Sequence, residues 1–276
     1  MRIICDAPGQ TCNRLWSYVD SVARCIVLKE KMIIFFFDYT IEDFPNFKNC
    51  PFIYFPLYNK WILSKGRNWG RFKHLTWKAT HNKNLDKVFR SLGFIKGWNT
   101  RNNTAYIGAV KDKLKYIFRP SEHIVNKAES LIDSIKANFD IIIGVHIRRG
   151  DYITWNNGDF YYSFEEYNSF MKQIENLYKD KKVSFFISSN EIIDSSCFEG
   201  ISCFYYENAS AIEDLYTLSL CDKIIGPYSS FSRWASFIGE KPICFLESSD
   251  MIIEERSFSE IIDYFHLADG REIYDW

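Results

Sequence analysis

Apolar residues along this chain follow two rhythms. Short aliphatic runs, of strand length, alternate with longer stretches in which apolar positions recur every three or four residues. Met1 to Asp6 and Met32 to Phe37 read as strands, with a helix between them. Its stripe is Leu15, Tyr18, Val19, Val22, Ile26 and Val27, ending near Lys29. Residues Asp38 to Ala79 are rich in aromatics and show no clean period. A short helix at Asn84–Leu92 and strands at Phe94–Trp98 and Ala105–Ile107 complete a less regular first half.

The second half is sharper. Ser121 is placed to cap a helix with the stripe Ile124, Ala128, Leu131, Ile132 and Ile135. The aliphatic run from Ile141 to Ile147 predicts a strand buried on both faces. Ser163 and Glu166 form a capping-box pattern ahead of Tyr167, Phe170, Ile174 and Leu177. Further strands are expected at Val183–Ile187, Ile201–Tyr205, Lys223–Ile225 and Pro242–Leu246. Helices are expected at Ile212–Leu220, through Phe237, and at Phe258–Phe265. The alternation from Ser121 onward predicts an α/β domain with a mostly parallel sheet and helices on both faces. A break near Phe118–Ser121 divides the chain into residues 1–119 and 120–276.

Composition narrows the class. The chain has 276 residues, 47% hydrophobic and 25% charged, with a formal net charge of −1, as expected of a soluble globular protein. The eight cysteines are irregularly spaced with no Cys-x-x-Cys pair, which favours neither a zinc site nor a redox motif and fits a reducing, cytoplasmic setting. The first residues run straight into a strand, without a signal-peptide pattern. The five histidines show no metal-ligand spacing. Charge is uneven. Lys60 to Lys96 holds ten Lys or Arg and one acid, with Trp61, Trp69 and Trp77 interleaved. Glu247 to Trp276 holds nine acids and two arginines. These segments read as two solvated faces, as two faces that meet, or as a basic aromatic surface for an anionic membrane or a phosphate-bearing acceptor. Nucleic acid is disfavoured, because the whole chain is not basic and no recognition motif occurs.

Candidate chemistry gathers at three strand ends. Arg148, Arg149 and Asp151 follow the central strand; Ser189, Asn190 and Glu191 follow the next; Ser229, Ser230 and Ser232 open a later helix. In a parallel sheet these ends share one edge, where ligands bind. Guanidinium groups with hydroxyls at a helix N-terminus suit a diphosphate. An amide and a carboxylate nearby suit a base or ribose. No Lys-bearing phosphate loop is present. The same residues also admit structural readings: an ion-paired arginine couple, serine caps, turn-forming Asn190-Glu191, and a His146 packed near the core. Near the N-terminus, the Gly9-to-Arg14 turn between strand and helix reads either as an ordinary connection or as an anion site.

His146-Ile147-Arg148-Arg149-Gly150-Asp151-Tyr152 resembles the signature of fucosyltransferases, especially the α-1,2-fucosyltransferases of glycosyltransferase family eleven. The turn from Gly9 to Asn13-Arg14 is similar to that superfamily's N-terminal loop, with Thr11-Cys12 where a second glycine is common. Cys221 to Gly226 with Ser229-Ser230-Phe231-Ser232-Arg233-Trp234-Ala235 resembles its C-terminal segment. The resemblance implies a GT-B-like architecture of two Rossmann-like domains with a cleft between them, the N-terminal one on the acceptor side and the C-terminal one holding the donor. It implies inverting transfer of L-fucose from GDP-β-L-fucose to a hydroxyl of a glycan, with no cofactor and no metal. Arg148 would bind the diphosphate and stabilise the leaving group, and Arg149 would support it or hold Asp151. Ser229, Ser230, Phe231 and Ser232 would bind phosphate. Asn13 would approach the phosphate or fucose, with Gly9 and Arg14 in the same loop. His146 belongs to the signature. Asn190 stands where a base-reading carboxylate is usual, with Glu191 beside it. Asp151 is the nearest candidate base and Asp159 a weaker one; Asn156 has no basic group to offer. The basic region at 60–96 fits a lipid-linked acceptor and peripheral membrane contact. Rival readings are another sugar-nucleotide donor on the same fold and a non-catalytic nucleotide-sugar or glycan binder.

Overall fold

A computed structural model describes residues 1–5, 8–37, 39–56, 67–96, 104–193 and 195–273. The chain packs as two units, Met1–Ser121 and Glu122–Trp276.

The first unit holds a four-stranded parallel sheet of β1 (Arg2–Ile4), β2 (Met32–Ile34), β3 (Ile53–Tyr54) and β4 (Phe94–Ile95), in the order β3-β2-β1-β4. Helix α1 (Thr11–Leu28) buries Leu15, Trp16, Tyr18 and Val22. The Tyr18 hydroxyl donates to the Phe36 carbonyl at 2.6 Å, so the buried phenol is satisfied. The aromatic stretch after β2 is more ordered than its sequence suggests. It contains α2 (Pro45–Lys48), β3 and the helix α3 (Arg67–Thr80), followed by α4 (Asp86–Ser91). Phe47 explains part of this: its ring meets Phe37, Phe55 and Phe118, a tertiary cluster with no sequence period. The strand expected at Ala105–Ile107 is instead two 3-10 turns, leading into α5 (Lys111–Ile117). Trp61 and the strand end at Trp98 lie outside the described residues.

The second unit is a five-stranded parallel sheet of β5 (Ile141–Ile147), β6 (Val183–Ser189), β7 (Cys203–Phe204), β8 (Lys223–Gly226) and β9 (Ile243–Phe245). Its order is β7-β6-β5-β8-β9. The helices are α6 (Glu122–Lys136), α7 (Phe164–Leu177), α8 (Ala211–Leu220) and α9 (Ser230–Gly239). Every residue of β5 is buried. Ile141, Ile143, Val145 and Ile147 pack in one core with Tyr167, Phe170 and Ile174 of α7. On the other face, a Cβ on Gly144 would come within 2.5 Å of Leu218 of α8. Two covered faces account for the uninterrupted aliphatic run.

Capping boxes start two helices. The Ser163 hydroxyl accepts from the Glu166 N–H at 3.2 Å, and the Glu166 carboxylate accepts from the Ser163 N–H at 2.6 Å. Ser210 and Glu213 do the same for α8.

The helix expected at Phe258–Phe265 does not form. Ser259 pairs antiparallel with Ile243, its N–H donating to the Ile243 carbonyl at 3.1 Å. The Asp263 carboxylate then accepts from the Phe265 and His266 N–H groups at 2.7 and 3.1 Å. The backbone groups a helix would have used are thereby committed to the sheet edge and to a side chain.

Candidate functional site

In both units the strand order reverses beside the first strand: between β1 and β4, and between β5 and β8. Ligands of open parallel sheets bind outside the carboxyl ends of the strands at such a reversal. Sequence had placed the candidate residues at strand ends; the topology puts those after β1, β5 and β8 at the two switch points.

In the second unit the three strand ends are tied together. Residues Ile147 and Ser189 are in register at the ends of β5 and β6. Beyond them, the Asn190 carboxamide oxygen accepts from the Arg149 N–H at 2.9 Å, and the Glu191 carboxylate accepts from the Gly150 N–H at 3.0 Å. Gly150 has φ +35°, and a Cβ there would lie 2.7 Å from the Asn190 amide nitrogen. Glycine is therefore required by both the backbone angle and the close approach. On the other side, the Tyr152 hydroxyl donates to the Tyr228 carbonyl at 2.7 Å, joining the loops after β5 and β8.

This geometry assigns several candidates tasks other than those expected. Asn190 and Glu191 each place one acceptor oxygen on the loop after β5, so they shape the site. Arg149 does not hold Asp151. Its guanidinium donates to the Tyr161 hydroxyl, lies 4.1 Å over the Phe164 ring centre and faces Glu191 at 3.6 Å. Arg148 is the one that pairs with Asp151, at 2.9 Å. The Asp151 side chain is 59% exposed, so a diphosphate can replace it as the partner of Arg148. Asp159 accepts from the Asn156 amide at 3.2 Å.

His146 is buried and stacked on Phe231, ring centres 4.9 Å apart. Burial, helped by the Arg148 charge, drives its pKa down to about 3, so the imidazole is neutral. Its Nδ1 is enclosed and makes no hydrogen bond among the described residues. His146 thus supports Phe231 from below. Ser229 caps α9, its hydroxyl accepting from the Phe231 N–H at 3.2 Å. Ser232 is sealed and donates to the Pro227 and Ser229 carbonyls at 3.4 Å, which removes its hydroxyl from the phosphate role. Ser230 begins α9, and its backbone is part of a helix N-terminus that favours anions.

One residue escaped the sequence reading. Asp214, in the first turn of α8, accepts from the Ser188 hydroxyl at 3.2 Å. Ser188 is the register partner of His146, so Asp214 stands at the same sheet edge. Burial pushes its carboxyl up to about 7, while the Ser188 hydroxyl pulls the other way. A carboxyl titrating there beside a sheet-edge site is a functional candidate. The Ser210-Ala-Ile-Glu213 capping pattern marks the helix start in the sequence and could have drawn attention to the acid that follows it.

In the first unit, Gly9 has φ +51° and a Cβ on it would fall 2.2 Å from the Asn13 amide nitrogen. Asn13 therefore lies across the turn's backbone. The Arg14 guanidinium donates to the Gly9 carbonyl at 2.9 Å and closes the turn. Gln10 precedes α1 without a side-chain cap. Among the described residues no group of three or more His, Cys, Asp or Glu is arranged to hold a metal ion.

Solved structures share this fold. A mutant of Arabidopsis thaliana FUT1 in complex with GDP aligns with a TM-score of 0.57 at 10% identity, over 99% of this chain and 76% of that one. POFUT1 in complex with GDP aligns at 0.55 and 12% identity, over 87% and 95%. The fucosyltransferase NodZ from Bradyrhizobium aligns at 0.53 and 16% identity, over 88% and 94%. With two parallel, Rossmann-like sheets, the fold is GT-B-like. Curated protein sequences yield no match. The family model described as glycosyl transferase family 11 matches residues 86–250, which is more than half the chain and includes the ends of β5, β6 and β8. On that match, the chain belongs to glycosyl transferase family 11.

Proposed function

We propose that this enzyme transfers L-fucose from GDP-β-L-fucose to a hydroxyl of a glycan, with inversion at the anomeric carbon. The observation that carries the reading is Arg148. It places a permanent positive charge at the switch point of the second sheet, one strand from the N-terminus of α9, between the Tyr152 ring and an exposed carboxylate. A departing diphosphate needs such positive potential, and here a side chain and a helix end supply it. Family membership and the GDP complexes of similar folds support the nucleotide.

In the proposed reaction the acceptor oxygen bonds to C1 of fucose as the C1–O bond to GDP breaks. The electron pair leaves with the diphosphate, toward Arg148 and the α9 N–H groups. The acceptor proton passes to a base; Asp151 is the candidate once the diphosphate has displaced it from Arg148. Asp214 is assigned to the guanine, whose N1–H and amino group form a donor pair that one carboxylate can accept. The roles of Gly9, Asn13 and Arg14 rest on the resemblance of their turn. Independence from metal ions belongs to the same reading, as does a cytoplasmic enzyme acting on a lipid-linked glycan.

A calorimetric comparison of GDP, UDP, CDP and dTDP, followed by transfer assays with GDP-fucose in EDTA, tests the reading. GDP should bind best and transfer should survive chelation. Tighter binding of another base would replace the donor, and donor binding with no turnover on any glycan would make the protein a binder.

A further inference from the structure

We infer that the outward face of α4 and the end of α3 form a docking surface for an anionic lipid bilayer. Helix α4 turns Phe89 inward, where its ring meets Phe94 at 4.8 Å between centres. The outward positions Leu85, Val88 and Leu92 follow the spacing of a single helical face. They are 42, 54 and 60% exposed, on a face where a helix in water ordinarily carries polar residues. Thr80, at the end of α3, lines the same cavity as Asp86 and Phe89, so the two helices are neighbours. On α3, Leu75 is 61% exposed. Trp77 packs edge-on against Phe36 at 5.1 Å and still keeps part of its ring in solvent. An indole with a fixed body and a free edge suits the headgroup layer of a bilayer.

Charge selects the occupant. Asp86, the one acid between Lys60 and Lys96, is taken by Arg90 and Lys96, each at 2.8 Å. Lys78, Lys83 and Lys87 are exposed beside the apolar face and form no ion pair among the described residues. Aliphatic side chains flanked by uncompensated lysines, whose stems can lie on apolar surface, are the chemistry of an interfacial helix on anionic lipid. No helix among the described residues is long and apolar enough to cross a membrane, so the contact would be peripheral. The surface belongs to the first unit and shares no residue with the strand ends of the second, so its test does not depend on the donor.

Co-sedimentation of the full chain with phosphatidylcholine vesicles, with and without about a third phosphatidylglycerol, is the experiment. Binding should require the anionic lipid and weaken in high salt. Lys83→Glu with Lys87→Glu should lower partitioning by at least about tenfold. Val88→Asp with Leu92→Asp should abolish it, while GDP binding and the melting temperature stay unchanged. Failure to bind anionic vesicles at low salt, or binding by both double variants as tight as that of the wild type, overturns the inference. A concentration-dependent dimer that the aspartate variant loses, with no vesicle binding, would also overturn it and give the face to a second copy.

Discussion

Arg148 and Asp214 are the two residues on which the proposed donor site turns. Arg148→Ala removes a charge-assisted partner of the diphosphate and should weaken GDP binding by about 2 kcal/mol. Calorimetry should find this with little change in melting temperature, because the Arg148–Asp151 pair, with its carboxylate 59% exposed, adds little to stability. A large loss of stability with unchanged affinity would make Arg148 structural. Asp214 predicts a pH dependence. Its folded pKa, pushed up to about 7, lies above the roughly 4 of an unfolded aspartate. The native state therefore keeps a proton that the unfolded chain releases across that window. The group's contribution to stability is fully present below about pH 4 and is lost as pH rises to about 7. Asp214→Asn should flatten that slope in urea titrations. In the wild type, GDP affinity should rise from pH 6 to 8 as the carboxylate forms. The asparagine variant should show weaker binding without the rise.

At the level of elements, local chemistry and tertiary packing divide the work unevenly. Helix α7 is specified locally: Ser163 and Glu166 satisfy its first N–H groups reciprocally. Ser163→Ala should cost about 1 kcal/mol, seen as a lower urea midpoint at constant slope. Its expected start at Ser163 and the one observed agree. The run at β5 was equally readable, since burial on both faces leaves no polar position to obscure it. The final segment was not. Ile261 and Tyr264 have helical spacing, yet Ser259 joins the sheet beside β9 and Asp263 closes a turn around Phe265 and His266. A hydrophobic stripe reports which residues are buried, and here the partner decides the backbone. The aromatic stretch after β2 fails for the same reason, because Phe47 packs on rings distant in sequence.

For the whole molecule, the family and the GT-B-like fold agree with what the sequence resemblance implied. If the second unit holds the donor, hydrogen exchange should show GDP protecting the loops at 148–151 and 189–191 and the start of α9. Protection confined to other segments would move the nucleotide elsewhere. Saturating GDP at about a hundred times its Kd should add about 2.7 kcal/mol to stability.

Residue order alone carried the alternation of strands and helices, the capping of α7 and the set of polar groups at strand ends. These depend on local spacing and on side-chain chemistry that each segment contains in itself. Which of those groups faces a ligand was decided in three dimensions. Arg148 and Arg149 are adjacent and chemically identical, yet one lies under Tyr161 and Phe164 while the other meets an exposed carboxylate. Asn190 turns to the backbone of a neighbouring loop, and Asp214 is brought to Ser188 across 26 positions. Those outcomes depend on strand order and on long-range packing, which create contacts, burial and pKa shifts that no local pattern encodes.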